Sequence, residues 1–353
     1  MNSFGRIFRV TIFGESHGEA VGVNIDGCPA GLPLSLEDFV EDLDRRKGGI
    51  QKGTTPRKED DLPIFKSGIF NKKTTGAPII LFFENKNTRS EDYEKLRAFP
   101  RPGHADFVAH KKFGGFEDYR GGGHFSGRLT VSLVAAGVIA KKLLTFIQFR
   151  PIEEMTDSIR QTVQVKASLL EVGGEKDLAL GLQKAVEAKD SIGGIVECRV
   201  TGLPSGLGEP FFDSVESLLS HAAFAIPAVR GVEFGTGFAA AKMFGSAHND
   251  ALEDRTGRTK TNHAGGVVGG ITNGNDLIFR IAIKPTSSTP KEQQTLNWET
   301  GEIASFSVKG RHDLCIALRV PVVLEAVTAM VIADLLILEN YIARVLSAHT
   351  DEA

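Results

Sequence analysis

Residues 118–130, Asp-Tyr-Arg-Gly-Gly-Gly-His-Phe-Ser-Gly-Arg-Leu-Thr, constrain the fold of this chain more than any other stretch. Three consecutive glycines open positive φ to the backbone and let its N–H groups come close to a bound oxyanion. An apolar run beginning at Leu129 reads as a helix, so the glycines feed a helix N-terminus. Unpaired N–H groups and the helix dipole both favour anions there. Arg120 and Arg128 bracket the loop, and a second turn just upstream, Arg101-Pro102-Gly103-His104-Ala105-Asp106, gathers Arg, His and Asp. Something acidic is expected between the two.

The elements around these turns point to an α+β fold. Arg6–Phe13 reads as a strand ending at Gly14, and Pro78–Glu84, Ile192–Val200 and Leu277–Ile283 as further strands. Ser35-Leu36-Glu37-Asp38 has the form of a capping box opening a helix to about Lys47. Val131–Phe149, Phe212–Ala225 and Leu324–Leu346 read as helices. No regular βαβ rhythm joins them, so antiparallel pairing is expected rather than a doubly wound sheet. The chain is expected to form one domain, 1–353, with a weak break between two halves near 151–190. Residues 48–61 and 85–101 have loop composition and are expected to close over ligands.

Composition excludes several classes. A net charge of −3 argues against a general nucleic-acid or membrane-surface role, so an anion site must come from local clusters of arginine. Cys28, Cys198 and Cys315 are far apart and show no C-x-x-C spacing, as expected of buried thiols in a reducing cytoplasm rather than of disulfides or a metal site. The most apolar region, Leu314–Leu346, carries Arg319, Pro321, Glu325, Asp334 and Glu339 and is not read as a membrane span.

Gly14-Glu15-Ser16-His17-Gly18 fits the nucleophile-elbow pattern, which taken alone suggests a serine hydrolase using Ser16. Its position near the N-terminus argues otherwise, because the oxyanion-hole loop of that fold comes from an earlier strand. The alternative is that His17, presented at a strand end, is the active group; an imidazole can serve as acid or base near neutrality. His104 projects from a turn stiffened by Pro102 and could donate a proton to a phosphate held by Arg101. Asn262–Gly270 is glycine-dense, Lys284-Pro285-Thr286-Ser287-Ser288 offers a cation with three hydroxyls, and Lys309–Asp313 is a third Arg/His/Asp turn. There is neither a P-loop nor a strand-linked G-x-G-x-x-G.

Together these motifs resemble those of the chorismate synthase family. The resemblance runs in order through Phe8–Gly18, Asp44-Arg45-Arg46, Arg101–Asp106, Asp118–Thr130, Asn262–Gly270, Lys284–Ser288 and Lys309–Asp313, nearly the whole chain. It implies a lyase performing anti-1,4-elimination of phosphate from 5-enolpyruvylshikimate 3-phosphate to give chorismate in the shikimate pathway. It further implies a requirement for reduced FMN, a β-α-β sandwich with helices packed between antiparallel sheets, and a cytoplasmic homotetramer. NADPH enters only as an indirect reductant, with external supply by a flavin reductase favoured. By the resemblance, His17, His104 and Asp313 are catalytic and Arg45, Arg46, Arg101, Arg128 and Arg311 bind substrate. Flavin contacts fall on His124, Phe125, Ser126, Ala228, Gly269, Lys284, Pro285, Thr286, Ser287, Ser288 and Arg311, and an NADP-linked position on Arg46. Three departures from the usual pattern stand at His124-Phe125, Lys52 and Pro227, and altered flavin contacts are expected from them.

Overall fold

The computed structural model describes residues 2–49, 53–55, 59–86, 97–147, 162–308 and 312–346. Strands β1 (Ser3–Phe4), β2 (Arg9–Gly14), β3 (Ala20–Asp26), β4 (Ile64–Ser67) and β5 (Ile79–Glu84) form an antiparallel sheet in the order β1-β2-β3-β5-β4. Alternating apolar residues give it one buried face, where Val21, Val23 and Ile25 lie directly opposite Phe83, Leu81 and Ile79. A second antiparallel sheet is built from β6 (Gln164–Val172), β7 (Gly194–Thr201), β8 (Val229–Phe234) and β9 (Leu277–Ile283), in the order β8-β9-β7-β6. Leu277, Phe279 and Ile281 face inward beside Val200, Cys198 and Val196.

Among the described residues, six α-helices of seven or more residues accompany these sheets: α1 (Val40–Arg46), α2 (Asp106–Phe113), α3 (Thr130–Leu143), α4 (Leu178–Ala188), α5 (Val215–Phe224) and α6 (Val320–Leu338). Helix α3 lies on the first sheet and α6 on the second, and the two pack against each other. The helices therefore sit between antiparallel sheets, and a single cluster of buried apolar side chains from Phe8 to Leu346 joins all the layers. Gly137 marks the closest approach: a Cβ there would stand 2.2 Å from Cβ of Ala326. The segments Gly127–Phe146 and Ile316–Leu338 are apolar enough to cross a membrane, but they are 78% and 94% buried inside the fold. An all-round apolar helix is what a position between two sheets demands.

Element ends depart from the sequence reading for local reasons. Strand β2 begins at Arg9 rather than Arg6 because the backbone N–H groups of Arg6, Ile7 and Phe8 all donate to the buried carboxylate of Asp334, each at 2.8 Å. Helix α6 starts four residues before Leu324, with Pro321 tolerated in its first turn, and ends at Leu338, just before Asn340 in the left-handed conformation. Helix α5 begins at Val215 because Ser214 Oγ accepts the N–H of Ser217. The three cysteines are buried and unbonded to one another, and burial pushes the Cys28 and Cys198 thiols up to about 12. Lys52, most of the 85–101 loop and Arg311 lie outside the described residues.

Candidate active site

The loops singled out in the sequence converge on one cleft of about 680 Å³ between the sheets. Its apolar floor includes Val10, Ile12, Leu133, Val323, Val327 and Met330, contributed by β2, α3 and α6. Its polar rim is built by Arg46, Arg101, His104, the 121–130 loop, Lys284–Ser288 and Asp313.

The triple glycine stands between two histidines. Gly121, Gly122 and Gly123 have φ of 61°, 80° and 52°. A Cβ on Gly121 would fall 2.4 Å from His17 Cδ2, and one on Gly122 would fall 3.0 Å from His104 Cε1. Only glycine admits both the left-handed backbone and these close approaches. The loop is docked onto the end of β2 by Ser16 N donating to Gly123 O at 3.1 Å and by His124 Nδ1 donating to Gly14 O at 2.8 Å. His124 lines the cleft, yet this bond commits one of its ring nitrogens to the scaffold. His17 is 8% exposed and is not on the cleft wall itself; it packs behind Gly121.

His104, Asp106 and Arg101 form a bonded unit. Arg101 Nε and Nη2 grip the Asp106 carboxylate at 2.7 and 2.8 Å, and its backbone N–H adds a third bond at 3.0 Å. His104 Nδ1 lies 2.6 Å from Asp106 Oδ1. Burial works against the Asp106 charge, but the hydrogen bonds from Arg101 and His104 outweigh it and hold the carboxyl well below the usual range. With Nδ1–H donated to this carboxylate, Nε2 is the ring nitrogen left for proton transfer. Asp106 is also the first residue of helix α2, whose N-cap is Ala105, so its carboxylate serves Arg101 and His104 rather than the helix end.

Opposite, Arg46 and Arg128 share one carboxylate. Arg46 Nη2 donates to Asp61 Oδ2 at 2.6 Å, and Arg128 Nη1 donates to Asp61 Oδ1. Arg128 is further held by Asn85 Oδ1 at 2.9 Å and by Glu84 O at 3.3 Å. Asn85 Nδ2 in turn donates to Glu15 O and Gly18 O, tying the arginine to the His17 turn. Burial works against the Asp61 charge as well, and the two guanidiniums reverse it.

The second half of the chain closes the cleft. Ser287 Oγ donates to Gly103 O at 2.8 Å, and Lys284 Nζ donates to the same carbonyl. Ser288 Oγ lies 3.3 Å from Arg101 Nη1. Burial, then the nearby Arg230 charge, lowers the Lys284 ammonium below its ordinary value. Ala228 holds φ of 74°, and its carbonyl accepts from Lys284 N at 3.0 Å. Asp313 accepts from Thr55 N at 2.8 Å and from Arg319 Nη1 at 3.1 Å.

Most of the expected site residues meet here, with His124, Phe125, Ser126, Ala228, Pro285 and Thr286 among the lining side chains. Two do not. Arg45 turns away to Glu325, at 2.8 and 2.7 Å, in a network with Asp42 and Lys141 between the helices. Gly269 stands exposed at the tip of a hairpin away from the cleft. Ser16 does not suit a hydrolase nucleophile: it is 0% exposed, and its Oγ has no hydrogen-bond partner among the described residues. Sequence reasoning passed over Asp61, Asn85 and Arg319. Only the acidic run Glu59-Asp60-Asp61 beside a basic loop hinted at the first of these.

The family model described as chorismate synthase matches residues 8–337. The chorismate synthase of Chitinophaga pinensis is 68% identical over 345 residues, covering 98% of this chain and 99% of the relative. Those of Dehalococcoides mccartyi and Methanocaldococcus jannaschii are 46% and 44% identical, covering 98% and 97% of this chain and 99% and 98% of their own. A crystal structure of chorismate synthase matches with a TM-score of 0.69 and 25% identity, covering 95% of this chain and 93% of the other.

Proposed function

The chain belongs to the chorismate synthase family, and from that premise we propose how its residues divide the reaction. It is a carbon–oxygen lyase that eliminates phosphate from 5-enolpyruvylshikimate 3-phosphate to give chorismate. The observation that carries the division of labour is the triple glycine, with His17 packed on Gly121 and His104 on Gly122.

The substrate carries two carboxylates and a phosphate, so several cations must hold it. Arg46, Arg101 and Arg128 line the cleft for that purpose, with Arg311 added by the family resemblance. Guanidinium forks fix such anions in orientation, as a stereospecific elimination requires. His104 Nε2 donates the proton to departing phosphate, and Asp106 keeps the opposite ring nitrogen protonated and the ring aimed. A positioned proton donor of this kind contributes roughly 10²–10⁴-fold.

Reduced FMN is the cofactor in this reading. The residues present fit it: the cleft is large, its floor apolar, and the buried Thr286 Oγ1 on its wall has no hydrogen-bond partner among the described residues. Ser126, Ala228 and Lys284–Ser288 would hold it, with Gly121 allowing close backbone approach. When bound, it supplies a transient electron that eases C–O cleavage. His17 and Asp313 are the catalytic pair on that side in this reading, Asp313 on the cleft wall and His17 behind Gly121. The apolar floor excludes water from the reacting centre.

Assembly as a homotetramer is supported by the exposed rings of Phe211, Phe212, Phe238 and Phe244, each 83% or more exposed in the single chain. A cytoplasmic setting suits three unpaired buried thiols. The core shared by both sheets supports one domain over 1–353. We assign Arg46 to substrate rather than to an NADP site, because it borders the cleft and shares the Asp61 carboxylate with Arg128.

The test is an anaerobic phosphate-release assay. Release is expected with dithionite-reduced FMN and not with oxidised FMN or none; equal release without reduced flavin refutes the cofactor assignment. An arm with NADPH and oxidised FMN decides whether reduction is external.

A further inference from the structure

We propose that Asp61 is a positioning residue for substrate binding: it sets the spacing of Arg46 and Arg128 so that both guanidiniums face one substrate anion. The proposal rests on the reading that these two arginines hold such an anion. Each carboxylate oxygen of Asp61 serves a different guanidinium, Oδ2 that of Arg46 and Oδ1 that of Arg128. The Asp61 side chain is 0% exposed, and each arginine side chain is 4% exposed.

Two like charges this deeply buried repel strongly unless an anion lies between them. A single shared carboxylate removes the repulsion and also fixes the distance across which the two forks stand. Other contacts lock each arginine against rotation: Thr130 Oγ1 lies 3.3 Å from Arg46 Nη1, and Asn85 and Glu84 hold Arg128. All three members of the triad border the cleft. The triad keeps a net positive charge, so it still attracts an anion.

Asp61 holds φ of 50°, a left-handed conformation that favours glycine. Such a conformation persists in a non-glycine residue where the surroundings over-determine it. Here the side chain is what the site needs, and the backbone is held where that side chain must be. Full burial with both oxygens engaged argues that Asp61 stays in place beneath the arginines when substrate arrives, rather than giving up its position to the substrate.

The experiment compares Asp61→Gly, Asp61→Asn and Arg128→Lys in steady-state assays with reduced FMN, in chloride or formate at equal ionic strength. Glycine suits the left-handed backbone, so Asp61→Gly removes the carboxylate alone. Its KM is expected to rise about tenfold or more while kcat changes less. Formate, a free carboxylate able to occupy the vacated place, is expected to bring that KM back toward wild type while leaving the wild-type KM unchanged. Asp61→Asn fills the space without charge, so its KM should rise with no rescue. An unchanged KM in Asp61→Gly or Asp61→Asn, with Arg128→Lys raising KM, overturns the proposal. A raised Asp61→Gly KM that formate does not lower marks a merely structural role and overturns it too. If Asp61→Gly does not fold, the KM of Asp61→Asn decides the matter alone. An unchanged KM in Arg128→Lys instead refutes the reading beneath it, that this arginine holds substrate.

Discussion

Replacing Asp106 by Asn keeps the side-chain shape and removes the charge on which both Arg101 and His104 depend. The carboxylate accepts four hydrogen bonds, at 2.7, 2.8 and 3.0 Å from Arg101 and 2.6 Å from His104. An amide has one oxygen to accept with and an NH₂ group that only donates, so at least one of these donors is opposed by another donor. Breaking a fully buried pair costs ~3–5 kcal/mol. The Arg101 side chain is 6% exposed but that of Asp106 is 21% exposed, so screening by water lowers the expected loss to ~2–3 kcal/mol. Losing its carboxylate partner also frees the His104 ring to turn and to place its proton on either nitrogen, and kcat should fall by ~10²-fold or more.

The pH dependence has a definite sign. Burial raises the Asp106 carboxyl, but hydrogen bonds from Arg101 and His104 outweigh this and hold it below its unfolded value. Its contribution to stability is therefore complete above the ordinary carboxylate range, about pH 4, and is lost as pH falls through the folded value. The asparagine variant lacks this contribution, so the stability gap between the two proteins should narrow on acidification. Urea denaturation at several pH values and anaerobic phosphate release measure the two effects. A kcat within roughly threefold of wild type, or a stability gap that does not change with pH, would refute the reasoning.

Other substitutions probe the scaffold around this unit. Gly121→Ala should abolish most activity and cost ~2–4 kcal/mol, since the new Cβ enters the left-handed region and meets His17 Cδ2 at 2.4 Å; near-normal turnover would show that His17 does not depend on this contact. Gly137→Ala should destabilise by a net ~1–3 kcal/mol in chemical denaturation, because overpacking against Ala326 exceeds the gain in helix propensity. An alanine variant at least as stable as wild type would contradict that crossing distance. Asp334→Asn should cost ~2–3 kcal/mol, since its amide cannot accept from all three of Arg6 N, Ile7 N and Phe8 N. Hydrogen exchange at those amides should quicken, and unchanged protection would exclude the buried bond.

Strands β2, β5, β7 and β9 and the two central helices were legible because their causes are local. β5 and β9 are apolar runs of strand length, and the run from Val320 to Leu338 is apolar but for Glu325, Thr328 and Asp334. Helix and strand ends were less legible, because partners far away in the chain determine them. Asp334 takes three N–H groups that the sequence reading gave to the first strand. The glycine turns marked where the backbone could take positive φ, as it does at Gly121, Gly122 and Gly123.

Arg45 and Arg46 show where that legibility stops. They are neighbours in one motif, and the sequence offers no reason to separate them. Successive residues on a helix point about 100° apart, so once α1 is laid against α6, one guanidinium reaches Glu325 and the other reaches Asp61 at the cleft. The sequence by itself determined which segments turn, which faces are apolar, and that several cations and two histidines stand on rigid turns. Tertiary structure alone decided which carboxylate each cation meets. Asp106 lies five residues from Arg101, within reach of a local reading, whereas Glu325 lies 280 residues from Arg45. Pairings of the second kind exist only after the sheets and helices have closed around them.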